Sequence, residues 1–156
     1  IQEGMIQEGT EIVEAIRDRY DGERRNPWNE FECGSNYARS MASYALLLAY
    51  SGFRYDMVKG MIGFDPVDLK DGECRFFWSL ESAWGLFCKE GNDVLLKVLK
   101  GKLRINRLEL PFLQDNGYLT VFAKDVQVDF YRQNGNIMFT EPAVLKELDC
   151  IRVQIS

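Results

Sequence analysis

The sequence of 156 residues carries 24 acidic and 19 basic side chains, a formal net charge of −5, and 46% of its residues are hydrophobic. This composition is typical of a folded globular protein with a substantial core, and an acidic chain without a basic face is a poor partner for nucleic acid. The chain contains no histidine, which excludes His-assisted serine or cysteine nucleophiles and His-ligated metal sites. We therefore expect any acid–base chemistry to use carboxylates, and we expect neither a metal nor a cofactor.

The four cysteines lie far apart in the sequence and form no CxxC pair: Cys33, Cys74, Cys88 and Cys150. This spacing argues against a zinc site. We interpret them as free and mostly buried thiols, with one disulfide in an exported parent protein as the alternative.

Residues Glu3 to Tyr20 have the pattern of an amphipathic helix, with apolar side chains three and four residues apart and charges on the other face. Thr10 is a candidate N-cap, and Asp21-Gly22 ends the helix. The segment 23–35 is polar and contains proline and glycine, so we predict a loop there. Because the sequence begins at Ile1 in what reads as the middle of a helix, we interpret the chain as a segment of a longer protein.

A second helix is predicted from Asn36 to Ser51, with Ser35 as its N-cap and Gly52 just after its end. Its side chains are apolar or small on every face, which is typical of a helix buried in a larger protein. The longest apolar run, Met41 to Tyr50, is too short to span a bilayer.

Arg39 is the only charged residue of this predicted helix. Burying an unpaired guanidinium costs at least several kcal/mol, so a carboxylate or a hydroxylated ligand must lie near it. Glu30 and Glu32 are the nearest carboxylates in the sequence. From the residues alone, a structural ion pair and a site for a polar ligand are both open.

After Gly52 the pattern changes from helices to strands. Residues 53–66 read as a connector, and from Glu73 onward short alternating runs separated by turn residues predict a sandwich or a two-layer sheet. The predicted strands are Cys74–Trp78, Ser82–Lys89, a hairpin of Asp93–Lys100 and Lys102–Leu110 turning at Gly101, Tyr118–Phe122, Val126–Tyr131, a strand from Ile137 that Glu141-Pro142 breaks, and Cys150–Ile155. Asn134-Gly135 is the strongest hairpin signal in the chain.

The segment that reads RNPWNEFECGSNYARSMAS, residues 25–43, resembles the RNPxNExECGxxYARxMxS segment of glycoside hydrolase family 116. That family includes bacterial β-glucosidases and the non-lysosomal glucosylceramidase. The similarity continues through Tyr50 to Asp56 and Gly63 to Pro66, and more loosely through Phe76 to Trp78 and Ala83 to Gly85. It covers residues 1 to 110 of the chain.

The resemblance implies an α+β chain taken from the C-terminal end of a larger enzyme. Residues 1–63 would be the last helices and active-site loop of an (α/α)6 toroid, and residues 64–156 a β-rich, sandwich-like C-terminal region. The parent would hydrolyse a β-glucoside or related glycan with retention, using two carboxylates about 5 Å apart. In the family both carboxylates lie upstream of this segment, so no catalytic residue is assigned here.

The resemblance also implies which side chains bind the sugar. Carried over residue by residue, Glu30 and Arg39 are similar to the pair that binds the glucose hydroxyls in the innermost subsite, where a carboxylate accepts and a guanidinium donates. The residues expected to support that loop are Trp28, Asn29, Glu32 and Tyr37. One departure affects specificity, because this sequence has Ser35-Asn36 where some members carry a histidine before the tyrosine.

The leading hypothesis is therefore a C-terminal segment of a β-glucosidase-like hydrolase that supplies sugar-binding residues and is inactive when isolated. Its expected partners are the glycan and the upstream part of the same parent chain, and the apolar second helix predicts self-association of the isolated segment. The alternative is a non-catalytic carbohydrate- or partner-binding β-sandwich module. A third hypothesis makes residues 73–156 a purely structural buttress.

Overall fold

The structure of the chain is a computed structural model that describes residues 1–19, 40–67, 72–113 and 117–156, with the side chains of the second range from Tyr44 onward. The chain divides into two compact units, Ile1–Tyr50 and Ser51–Ser156. The first unit is helical where it is described, and the second is built of β-strands.

Helix α1 spans Ile6–Arg19 and helix α2 spans Ser40–Ser51. Because α1 begins four residues before Thr10, the prediction of Thr10 as an N-cap is wrong. The Thr10 hydroxyl instead donates a hydrogen bond of 2.7 Å to the carbonyl of Ile6 one turn earlier. The end of the second helix at Ser51 is confirmed, whereas its predicted start at Asn36 and the Ser35 cap lie outside the described residues.

The described part of the second unit contains eleven strands in two sheets. A five-stranded sheet has the order β1-β2-β6-β10-β9, and a six-stranded sheet has the order β3-β4-β5-β11-β7-β8. Apart from the parallel pair β2–β6, the neighbouring strands are antiparallel. The strands are β1 (Arg54–Asp56), β2 (Met61–Gly63), β3 (Cys74–Ser79), β4 (Ala83–Glu90), β5 (Asp93–Gly101), β6 (Leu103–Glu109), β7 (Leu119–Ala123), β8 (Val126–Gln127), β9 (Phe130–Gln133), β10 (Asn136–Leu145) and β11 (Cys150–Ile155).

The interpretation of residues 53–66 as a connector is wrong. Strands β1 and β2 form a hairpin there, and β2 pairs with β6 so that Met61 lies opposite Arg107. Ile62 and Phe64 are fully buried. The compact β-rich unit therefore includes residues 51–63, which precede the boundary predicted at residue 64.

The hairpin predicted around Gly101 is also wrong, because β5 and β6 belong to different sheets. Gly101 has a φ of 90°, and a Cβ atom at this position would lie 2.2 Å from the carbonyl oxygen of Ser82. Glycine therefore fits where the chain leaves one sheet and passes close to the backbone before β4. The Lys102 amide donates to the same Ser82 carbonyl at 2.9 Å.

Between Val126 and Leu145 the predicted strands are partly corrected. The single strand Val126–Tyr131 is in fact β8 and β9, one in each sheet. The Asn134-Gly135 hairpin is confirmed, with φ values of 52° and 77° that fit a type I′ turn. The predicted break at Glu141-Pro142 is wrong, because β10 continues through a register irregularity between Met138 and Ala143 that accommodates the proline.

One hydrophobic core lies between the two sheets, so the expectation of a sandwich-like region is confirmed. The rings of Phe64 and Phe87 stack at its centre with their centroids 4.0 Å apart. The five-stranded sheet contributes buried residues such as Ile105 and Ile137, and the six-stranded sheet contributes Trp78 and Leu96 among others. The described residues form two helices, and the (α/α)6 toroid implied by the resemblance stays a prediction.

Candidate functional site

The six predicted site residues lie within residues 20–39, outside the part of the chain that the structure describes. They are the two sugar-binding candidates Glu30 and Arg39 and the four supporting candidates Trp28, Asn29, Glu32 and Tyr37. Their roles remain predictions. The structure does describe the helices before and after this segment and several downstream stretches that share the resemblance.

Helix α2 continues directly from the predicted site and exposes much of its apolar surface. Tyr44 is 68% exposed and Leu48 is 47% exposed. On α1, which buries none of its residues, Ile12 is 62% exposed and Ile16 is 50% exposed. Large apolar side chains on both helices are thus available to pack against further protein.

A hydrogen bond joins the two helices of the first unit. The hydroxyl groups of Thr10 and Tyr50 lie 2.5 Å apart. Because the single Thr10 proton is donated to the Ile6 carbonyl, the Tyr50 hydroxyl donates to Thr10. This contact determines which turn of α1 lies beside the last turn of α2.

Two stretches that carry the resemblance, Tyr50–Asp56 and Gly63–Pro66, come together at the start of the second unit. The Asp65 amide donates to the Ser51 carbonyl at 3.0 Å, and the Arg54 guanidinium lies 3.7 Å from the Asp65 carboxylate. Both charged side chains are about half exposed, so this pair contributes less than about 1 kcal/mol. A Cβ atom on Gly52 would lie 2.2 Å from the Asp65 carbonyl oxygen, so the backbone approach requires glycine.

The aromatic residues of these stretches have a structural role. Phe53 lies 5.2 Å from Phe64 and 5.6 Å from Tyr55, measured between ring centroids. Phe64 in turn stacks on Phe87 in the core. The matching residues at the start of the second unit therefore anchor its first hairpin, and we find no polar cluster among them that could carry out chemistry.

Trp84 is the second residue of β4 in the six-stranded sheet, and Glu81 lies just before that strand. Glu81 is exposed between β3 and β4, and the Trp84 ring lies 5.9 Å from Phe77, tilted by 45°. Trp84 and Phe77 are 41% and 45% exposed. Several apolar side chains accompany this pair on the same face, and the continuous apolar run Trp84–Cys88 is the sequence signal of a strand covered on both faces.

A charged cleft is lined by Glu73, Cys74, Arg75, Lys89 and Glu90. Three of its charged side chains have hydrogen-bond or ion-pair partners in or beside the cleft. Arg75 pairs with Glu90 at 3.0 Å, and the Lys89 ammonium donates to the carbonyls of Gly72 and Gly91. Across the described ranges, no three cysteine, aspartate or glutamate side chains gather as a set that could hold a metal ion.

The described cysteines are free thiols, as expected, with Cys88 buried and Cys74 and Cys150 half-buried. Burial raises the pKa of the Cys74 thiol. Cys33 lies outside the described residues. In the parts of the chain that the structure describes, neither helix has the length and apolar content needed to cross a bilayer.

Comparison with known proteins gives a distant structural likeness. No family model matches the chain, and no curated protein matches it. Among solved structures, the chain is similar to a GH127 β-L-arabinofuranosidase from Geobacillus stearothermophilus T6, with 15% identity and a TM-score of 0.45. The match covers 91% of this chain and 22% of that enzyme, so the chain spans about a fifth of its length. This likeness assigns neither a family nor an activity to the chain.

Proposed function

We propose that the chain is the C-terminal segment of a retaining β-glucosidase-like glycoside hydrolase. In this proposal Glu30 and Arg39 bind the hydroxyls of the glucose unit, and the two catalytic carboxylates come from the upstream part of the parent chain. The observation that carries the proposal is the segment 25–43, whose long match to the family 116 segment combines two carboxylates, an arginine and aromatic residues.

The helices of the first unit support the same proposal. A toroid of helices would cover the apolar side chains that α1 and α2 leave exposed, such as Ile12, Ile16 and Leu48. The division of roles also has a chemical reason. Glu30 and Glu32 are two residues apart in one predicted loop. This spacing suits hydrogen bonding to one sugar better than catalysis by two carboxylates on opposite sides of the glycosidic bond.

The test uses the full-length parent enzyme and an aryl β-D-glucoside. Glu30→Gln and Arg39→Ala each remove a charged hydrogen bond to substrate, which contributes about 1.5–3 kcal/mol, so kcat/KM should fall about ten- to hundredfold or more. Matched controls are Glu141→Gln and Arg104→Ala, both at exposed positions of the second unit. A change of less than about twofold at Glu30 and Arg39 would defeat the sugar-binding assignment.

A separate measurement tests the absence of the catalytic carboxylates. The purified chain should not hydrolyse the glucoside, whereas the parent enzyme should. Turnover by the purified chain that survives in the Glu30→Gln variant would place the catalytic groups within these 156 residues. It would contradict the proposal that the catalytic carboxylates come from the upstream part of the parent chain.

A second candidate function, a non-catalytic binding module built on the β-sandwich, is favoured by one observation. Phe77 and Trp84 lie side by side and exposed on the outer surface of the six-stranded sheet. Binding by the intact chain that is lost in the Trp84→Ala variant would support this function.

A further inference from the structure

The outward surface of the six-stranded sheet carries a group of apolar side chains that lie outside the core. Its side chains alternate with the buried ones along each strand and lie outside the core cluster. We call these residues the outer patch: Phe77 and Trp84, which are exposed, Leu86, Leu95 and Phe122, which are half-buried, and Cys88, which is buried. A sheet with one wet face would carry polar residues at these positions.

The strand register places most of the outer patch in two neighbouring rows that are interrupted by two cations. Phe77 lies opposite Leu86, and Cys88 lies opposite Leu95. Phe122 joins the same row two strands further on, across Arg152. Since neighbouring strands are about 4.8 Å apart, the patch extends about 19 Å from β3 to β7, which accommodates a helix about 10 Å wide.

Two cations lie in the middle of this surface. Lys97 lies between Leu86 and Cys150 on the neighbouring strands, and Arg152 lies between Leu95 and Phe122. Among the described residues neither has an ion-pair partner.

Other cations bordering the patch do have partners. Arg75 pairs with Glu90 at 3.0 Å, and Lys100 pairs with Glu147 at 3.1 Å. The chain as a whole has a net charge of −5, so two unpaired cations within an apolar face are a local feature of this surface.

We propose that the outer patch is a docking surface for an acidic amphipathic helix of a partner protein. The apolar stripe of such a helix covers the aromatic and leucine side chains, and its flanking carboxylates reach Lys97 and Arg152. Layered folds commonly cover a sheet that is apolar on both faces with helices. This inference concerns a different surface from the sugar-binding proposal and does not depend on it.

The charges and side chains of the patch favour a helix over a glycan. A sugar needs acceptors for its hydroxyl protons as well as donors, whereas the centre of this patch offers aliphatic side chains and two cations, which only donate. Carboxylates opposite those cations provide electrostatic complementarity and determine how the helix is oriented.

The experiment measures binding of the intact chain to a fluorescent helical peptide of about 18 residues, long enough to form a helix when bound. The peptide carries leucines three and four residues apart and glutamates beside them. A second peptide carries lysine in place of each glutamate, and a third has the first composition in scrambled order. The tested variant is Lys97→Glu/Arg152→Glu, and the matched control is Lys102→Glu/Arg104→Glu, two exposed cations outside the patch.

We expect the glutamate peptide to bind and the scrambled peptide to bind at least about tenfold more weakly, since only the first forms an apolar stripe. The patch variant should weaken binding of the glutamate peptide by at least about tenfold, because two attractive pairs become repulsive, and the control should change it less than about twofold. The lysine peptide should gain affinity for the patch variant relative to the native chain. Circular dichroism checks that both variants are folded. If the patch variant is not folded, the Lys97→Gln/Arg152→Gln variant replaces it.

Four results would overturn the proposal. The glutamate and scrambled peptides could bind equally, or the patch and control variants could behave alike. The glutamate peptide could fail to bind while light scattering shows that the native chain is a dimer and the patch variant is a monomer. That result would assign the surface to a second copy of this chain. Binding of a glucan that depends on Trp84 but not on Lys97, without peptide binding, would assign it to a glycan.

Discussion

Gly101 offers the sharpest test of how the chain passes between the two sheets. A residue with a Cβ atom at a φ of 90° costs about 1–2 kcal/mol. The added Cβ would also lie 2.2 Å from the Ser82 carbonyl oxygen and 2.9 Å from the Ala83 Cα, so backbone atoms must move, which costs about 1–3 kcal/mol more. We therefore expect Gly101→Ala to lower the free energy of unfolding by about 2–5 kcal/mol.

Gly91→Ala is the matched control for this prediction. Gly91 also has a positive φ, of 55°, but a Cβ atom there would meet nothing within 4 Å. Its substitution should cost only the backbone term of about 1–2 kcal/mol.

The assay is urea unfolding, followed by tryptophan fluorescence in a Trp28→Phe background, in which buried Trp78 and partly exposed Trp84 give the signal. With a slope of about 2 kcal/mol per molar urea, the Gly101→Ala midpoint should lie about 1 M below that of Gly91→Ala, with unchanged slopes. Equal midpoints for the two variants would refute the close approach at the Ser82 carbonyl.

Three further predictions follow from single contacts. Phe87→Ala should lower the free energy of unfolding by about 3–5 kcal/mol in the same assay, because it leaves a cavity beside Phe64; a loss under about 1 kcal/mol would contradict the stacked core. The hydrogen bonds from the Lys59 side chain and backbone lower the pKa of Asp56, so Lys59→Met should raise that pKa toward its ordinary value of 3.8 in a carbon-13 titration. Because this pKa is lowered on folding, the associated stability is present above the unfolded-state pKa and is lost as the pH falls through the folded-state pKa. Burial raises the pKa of the Cys74 thiol. The stability that this thiol contributes is therefore present below its unfolded-state pKa and is lost as the pH rises through its folded-state pKa. At mildly alkaline pH the folded thiol should react with iodoacetamide more slowly than the urea-unfolded thiol, and equal rates would exclude this pKa shift.

Local signals predicted much of the β-rich half. The Asn134-Gly135 turn and the end of α2 before Gly52 were correct because each depends on glycine conformation within a few residues. The existence of most strands was correct because alternation is also a local property. Which strands pair was beyond these signals, because a turn at Gly101 looks the same whether the chain folds back in one sheet or crosses to the other.

The errors at β8 and β10 have a similar origin. A run such as Val126–Tyr131 alternates throughout, yet its first end pairs with the preceding strand β7 and its second end with the following strand β10, which belong to different sheets. Pro142 reads as a break because proline cannot donate to a ladder, but an irregular register removes the need for that donor. In both places tertiary pairing decided the outcome over local propensity.

The candidate sugar site rests on another kind of information. Composition and patterning predicted that Arg39 is buried and requires a partner, but they did not distinguish a structural ion pair from a ligand site. Only the resemblance of residues 25–43 assigned Glu30 and Arg39 to sugar binding, and these residues lie outside the described part of the chain. Their assignment therefore depends on kinetics in the parent enzyme.

Strands β4 and β6 differ at their outward positions, and this difference is the strongest reason to assign a role to the outer patch. On β6 of the five-stranded sheet, Leu103 and Ile105 are buried while Arg104 and Asn106 are exposed, the pattern of a strand with one wet face. On β4 of the six-stranded sheet the outward positions carry tryptophan, leucine and cysteine instead. Both strands supply the same core, so the core does not require apolar residues on the outside of β4. Contact with a partner at that surface explains the difference.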